Sequence, residues 1–138
     1  MKTELPLVFY HAPNTRSTGV LLLLEELGAP YLLQVLNVRR GEHKAQAYRD
    51  VNPLGKVPAI RHGTALVTEQ VAIYIYLADL FPASGLAPPI GDPLRGPYLR
   101  SMSAATAFSA LARPPANEIS VTLPALLRRR RTVSPKLA

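Results

Sequence analysis

The 138-residue chain contains no cysteine. It can therefore form no disulfide framework, no thiolate metal site and no redox dithiol. Any thiol chemistry must use a thiol that a ligand brings. A long apolar run is also missing: the longest purely aliphatic stretch, Val20–Leu24, falls far short of the roughly 20 residues a membrane helix needs. No opening stretch combines a basic flank, an apolar run and a small-residue cleavage site, so the expected address is cytoplasmic. Acidic residues are scarce at one end only. The formal net charge is +7, yet residues 1–103 hold ten Lys/Arg against eight Asp/Glu, a balance of +2. Residues 104–138 hold six against one, a balance of +5. The basicity belongs to the tail, where Arg128–Arg131 reads as a solvated run, so neither nucleic acid nor membrane is an expected partner.

What is present is globular. Hydrophobic residues make up 48% and charged residues 18%, a balance that buries a core rather than staying disordered. The length suits one domain. Leu5–Tyr10 is a β-prone run, and Asn14, Thr15 and Ser17 are helix-capping types. Val20, Leu21, Leu23, Leu24 and Leu27 then fall on one helical face, with Glu25 and Glu26 opposite. Gly28 and Pro30 stop that helix. Tyr31–Val38 reads as a second strand, Arg39–Gly41 as a loop and Lys44–Asp50 as a short helix. Val57–Ile60 and Ala65–Val67 are two short strands joined through Arg61–Thr64. Thr68 is placed as the cap of a helix from Glu69 to about Phe81, with Glu69 in its first turn. The order β-α-β-α-β-β-α, with a right-handed first crossover, gives an α/β, thioredoxin-like domain: a mixed four-stranded sheet with helices on both faces.

That domain is assigned to residues 1–82. Residues 83–97, rich in Pro and Gly, read as a linker. Asp92 is expected to cap a helix reaching about Ala105, with Pro93 at its tolerated first position. After Ser103 apolar spacing fits neither helix nor strand for long. Residues 98–138 are therefore read as the incomplete remnant of a helical C-terminal segment with an aberrant or disordered tail.

The stretch Asn52–Gln70, NPLGKVPAIRHGTALVTEQ, organises the rest. Asn52-Pro53 and Gly55 are turn chemistry. A proline at a strand start is tolerated where its missing N–H faces away from the ladder. A cis Val57–Pro58 bond would present the N–H and C=O of Val57 outward, a device for docking a peptide-like ligand. The histidines show no metal-ligand spacing.

Taken together, GEHKAQAYRDVNPLGKVPAI, then TEQVAIYIYLAD, then a proline-rich linker resemble the glutathione S-transferase family, specifically the N-terminal domain of bacterial and theta-like members, over Leu7 to Arg100. The resemblance implies glutathione as co-substrate, no other cofactor, no metal and a small electrophilic substrate, with a homodimer for a full-length form. It implies that Val57, fixed by Pro58, pairs its backbone with the cysteinyl unit. Glu69 and Gln70 would hold the γ-glutamyl end, Gln70 standing where the family usually has Ser. His43 and Lys56 would meet the glycyl carboxylate. The chemistry is thiol activation: a free thiol titrates near 8.5, and lowering that by about two units takes roughly 2.7 kcal/mol. A helix N-terminus and a hydrogen-bond donor can supply it. Thr15 and Ser17 are the candidate hydroxyl donors, Asn14 an amide donor, and Tyr10 a weaker candidate. Two other readings stand beside the enzyme: a non-catalytic glutathione-binding module, and an inactive product truncated or frameshifted near Ser101–Ala105.

Overall fold

β1, Leu7–His11, is one of the two inner strands of the sheet, and all five of its residues are buried. A strand covered on both faces reads as a continuous apolar run rather than an alternating one, which is how Leu-Val-Phe-Tyr enters the sheet. The computed structural model describes residues 6–111, and the side chains of residues up to 105. From β1 the chain enters α1, Ser17–Leu27, and returns as β2, Leu32–Val35. A 3-10 turn at Glu42–Lys44 precedes the short α2, Gln46–Arg49. The hairpin of β3, Ala59–His62, and β4, Ala65–Thr68, leads into α3, Gln70–Leu80. The sheet order is β2-β1-β3-β4. β1 runs parallel to β2 and antiparallel to β3, and β3 antiparallel to β4. This is the mixed, thioredoxin-like sheet the element order implied.

Two clusters of apolar side chains fill the two faces. Phe9, Val20, Leu24, Ile60, Ile73 and Leu77 are fully buried where α1 and α3 cover one face. Val8, Tyr10, Tyr48 and Ala59 pack on the other, with Val57 against them. Each large side chain so buried contributes about 1.5–3 kcal/mol. α1 ends as its sequence dictates: Gly28 sits at φ 59, and Ala29 N–H reaches back to the Leu24 carbonyl at 3.1 Å, the left-handed closure that glycine makes cheaply.

Several boundaries differ from the sequence reading, each for a local reason. β2 stops at Val35, because Asn37 opens a turn in which its Oδ1 accepts the Arg40 N–H at 3.1 Å. The helix expected over Lys44–Asp50 is interrupted at Ala45, which is extended. Arg61 and His62 are not in the connection: they pair with Leu66 and Ala65 in the ladder, leaving Gly63-Thr64 as the turn. His62 Nδ1 lies 2.7 Å from the Tyr76 hydroxyl, which anchors that strand end to α3. Thr68 belongs to β4 and does not cap α3. The cap position is Glu69, so Glu69 precedes the first turn rather than lying in it.

Helix α4, Arg95–Leu111, begins inside the stretch read as linker. Asp92 does prepare its start, accepting the Leu94 N–H on Oδ1 at 2.7 Å. Arg95 then makes a two-pronged ion pair with Asp79 of α3, at 2.8 and 2.7 Å, and donates to the Pro88 carbonyl at 2.9 Å. The helix continues past Ser103, where apolar spacing fails; alanines at 104, 105, 107 and 110 carry it by intrinsic propensity. The tail beyond Leu111, with its aberrant or frameshifted reading, lies outside the described residues. Among the described residues no helix is long and apolar enough to cross a membrane.

Candidate functional site

The strand register brings three separate segments to one rim of the sheet. β1 ends at His11, and the loop Ala12–Arg16 leads into α1. β3 is antiparallel to β1 with Tyr10 opposite Ala59, so Val57 and Pro58 arrive at the same end. β4 is antiparallel to β3 with Thr68 opposite Ala59, so Glu69 and Gln70 arrive there too. The Val57–Pro58 bond is cis, the geometry that the docking reading required. Asn14–Ser17, Val57–Pro58 and Glu69–Gln70 thus share a rim, although more than 50 positions separate the first segment from the last.

The three loop candidates for thiol activation are not equivalent, and the fourth, Tyr10, is buried in the cluster with Tyr48. Ser17 is fully buried. Its Oγ lies 2.7 Å from His11 Nδ1 and 2.6 Å from Thr15 Oγ1, accepts the Ala12 N–H at 3.0 Å and reaches the Ala12 carbonyl at 3.0 Å. This hydroxyl is a knot inside the loop, facing the protein. Burial disfavours the charged imidazole and lowers the pKa of His11 below its usual value. Thr15 is half-buried, donates to the Ala12 carbonyl at 2.7 Å and accepts the Ser17 N–H at 3.2 Å. Asn14 is exposed, at φ 58, a left-handed conformation that asparagine tolerates better than most residues. Of the three, Asn14 is the one set on the surface of the rim.

At the start of α3, Glu69 is exposed at φ 68 and ψ 123, a backbone conformation costly for any residue with a Cβ. Gln70 turns its amide inward. Its Nε2 donates to the Arg16 carbonyl at 3.1 Å and to the Tyr74 hydroxyl at 2.5 Å, which uses both of its N–H groups. Gly19 makes that approach possible: a Cβ there would overlap the Tyr74 hydroxyl and stand 2.7 Å from Gln70 Nε2. Desolvation raises the Tyr74 phenol, while the Gln70 hydrogen bond acts the other way.

The turn ahead of Val57 is held from below by two residues the sequence reading did not assign to the site. The Tyr48 hydroxyl and Asn52 Nδ2 both donate to the Lys56 carbonyl, at 2.7 and 2.9 Å. Asn52 also closes the turn, its carbonyl accepting the Gly55 N–H at 2.8 Å. The signal was present as a spacing, Tyr48-x3-Asn52-x3-Lys56, but nothing local reveals that the two donors meet on one acceptor. Gly55 sits at φ 59 under the His43 carbonyl, which a Cβ would approach to 2.7 Å. That places the His43 segment beside the turn, and His43 Nδ1 is a buried atom with no hydrogen-bond partner. Lys56 is exposed. Among the described residues no group of three or more His, Asp or Glu is placed to hold a metal ion.

Comparison with known proteins agrees with this fold. A mixed sheet of this order with helices on both faces defines a thioredoxin-like class of domain. Residues 15–80 match the family model for the glutathione S-transferase N-terminal domain. The chain is 45% identical over 49 residues to glutathione S-transferase theta-1 of Bos taurus, covering 36% of this chain and 20% of that protein. It is 30% identical over 93 residues to Protein LigF of a Sphingobium species, covering 67% and 36%. Among solved structures it resembles a glutathione transferase homolog from Sulfitobacter with bound glutathione, at TM-score 0.65 and 32% identity, covering 75% of this chain and 49% of that one. Residues 15–80 form a glutathione S-transferase-type N-terminal domain with the thioredoxin-like fold. The chain spans about half or less of the length of these relatives.

Proposed function

We propose that this chain binds glutathione along the rim and activates its thiol for attack on a small electrophile. The observation that carries the reading is the convergence of Asn14–Ser17, Val57–Pro58 and Glu69–Gln70 at one end of the sheet. The Val57 backbone pairs with the cysteinyl unit as a neighbouring strand would. Glu69 receives the ammonium of the γ-glutamyl end, and the Gln70 amide oxygen remains as an acceptor beside it. His43 and Lys56, on either side of the Gly55 turn, receive the glycyl carboxylate. The thiol then lies over the start of α1, whose partial positive charge favours the thiolate. The Asn14 amide donates to the sulfur. Ser17 and Thr15 hold the loop in which Asn14 sits. The thiol's proton leaves to solvent, and the thiolate attacks the electrophilic carbon, either displacing a leaving group as its anion or adding to a double bond whose other carbon then takes a proton from solvent. A homodimer of the full-length form and a cytoplasmic setting belong to the same proposal.

The test is calorimetric titration with glutathione, a pH titration of the bound thiol by its thiolate absorption, and a conjugation assay with an aromatic electrophile. Binding with a thiol pKa well below 8.5 and turnover is the expected result, with Asn14→Ala moving that pKa back toward the free value. Binding without turnover would leave a glutathione-binding module. Absence of binding would overturn the reading.

A further inference from the structure

We infer that Tyr48 and Asn52 are positioning residues for glutathione: together they aim the Val57 N–H at the ligand. This rests on the glutathione reading of the rim and adds to it a mechanism of preorganisation. Lys56 C=O and Val57 N–H belong to one peptide unit. That unit is trans, since the cis bond lies one residue later, between Val57 and Pro58. In a trans peptide the carbonyl and the N–H point in opposite directions. Two buried donors, the Tyr48 hydroxyl at 2.7 Å and Asn52 Nδ2 at 2.9 Å, converge on the Lys56 oxygen and fix it inward. The Val57 N–H is thereby turned away from the interior, toward the rim.

The donors are themselves held. Tyr48 and Asn52 are 4% and 1% exposed. The Tyr48 ring packs on Tyr10, centroids 5.4 Å apart, so its direction is set by the end of β1. The Asn52 N–H bonds back to the Tyr48 carbonyl at 2.8 Å, and its Oδ1 accepts the Leu54 N–H at 3.2 Å. Both lone pairs of one carbonyl are thus taken by side chains with little freedom to move. A single donor would hold the oxygen but let the peptide plane rock, whereas two donors restrict that rotation. A ligand that pairs with Val57 then meets an amide already oriented, and little ordering cost is left to binding.

The experiment uses the full chain, with amide exchange at Val57 followed by NMR while glutathione is titrated in. Wild type, Tyr48→Phe and Asn52→Asp are compared at a temperature where each is folded. Tyr48→Phe keeps the ring against Tyr10 and removes one donor; Asn52→Asp keeps the Leu54 contact and replaces the other donor with an acceptor. In wild type, glutathione slows exchange at Val57. In Tyr48→Phe the dissociation constant rises about tenfold, the equivalent of one well-placed hydrogen bond. Protection at Val57 falls, while the Glu69 and Gln70 signals still respond to the ligand. That selective loss separates positioning from general loosening, which would weaken all segments together. Tyr48→Phe binding as tightly as wild type, with full protection at Val57, overturns the inference even if Asn52→Asp fails to fold. A wild-type protein that shows no response to glutathione overturns the glutathione reading itself, and this inference with it.

Discussion

The side-chain nitrogen of Gln70 donates to the backbone carbonyl of Arg16 across 54 positions of sequence, at 3.1 Å, and so ties the start of α3 to the start of α1. The same nitrogen meets the Tyr74 hydroxyl at 2.5 Å. Both contacts lie over Gly19, where a Cβ would collide with the Tyr74 hydroxyl and crowd Gln70 Nε2.

Gly19→Ala is therefore destabilising despite alanine's better helix propensity. The propensity gain is about 1 kcal/mol, but the new methyl overlaps the Tyr74 hydroxyl, and overpacking costs typically about 1–3 kcal/mol. A lower urea midpoint is expected for Gly19→Ala, with most of the loss recovered in Gly19→Ala/Tyr74→Phe, where the hydroxyl is gone. Equal losses in the two would show that the overlap is not the cause.

Glu69 is held at φ 68 and ψ 123, and strain of this kind costs of order 1–3 kcal/mol for a residue with a Cβ. Glu69→Gly removes the Cβ, whereas Glu69→Ala keeps it. The glycine variant should be the more stable of the two by about 1 kcal/mol in chemical denaturation. Both should lose glutathione affinity, because both remove the carboxylate. Stability and affinity move apart at this position.

Ser17→Ala acts on the fold before it acts on chemistry. It leaves the Ala12 N–H and His11 Nδ1 without their buried partner, a loss of about 1–3 kcal/mol. The pH dependence has a defined sign. His11 is held neutral by burial, its pKa lowered from 6.5. Below 6.5 the unfolded chain binds the proton more readily than the folded one, so stability is lost as pH falls from 6.5 toward the folded value. Thermal melts across this window should show the decline, and His11→Gln, which cannot titrate, should flatten it.

Asp79 and Arg95 join α3 to α4 by paired contacts at 2.8 and 2.7 Å. The Arg95 hydrogen bond, ahead of its charge, holds the Asp79 carboxyl below its ordinary 3.8. A lowered carboxyl contributes stability that is present above 3.8 and lost as pH falls through the folded value. Asp79→Asn should lower the melting temperature at neutral pH by a modest amount, since the carboxylate is partly exposed. Its difference from wild type should vanish in strong acid, which a pH series of melts would show.

Local chemistry alone settled much of this protein. Val20 and Leu24 at helical spacing, the stop at Gly28 and the turn at Asn52-Pro53-Leu54-Gly55 depend on neighbours in sequence, and each stands where it was read. The order of strands and helices followed, and with it the thioredoxin-like sheet; Val57 and Glu69 were singled out as a pair by the family resemblance, and the strand register set them on one rim. What tertiary structure decided was direction. Whether Ser17 looks inward or outward depends on His11 packing beneath it. Whether Arg61 is turn or strand depends on the register that β1 imposes on β3. Tyr48 and Asn52 find the same carbonyl only because the turn folds back over α2. Spacing along a chain sets which face a residue can share with its neighbours, but the partner a polar atom meets across the fold is fixed by how separate elements pack.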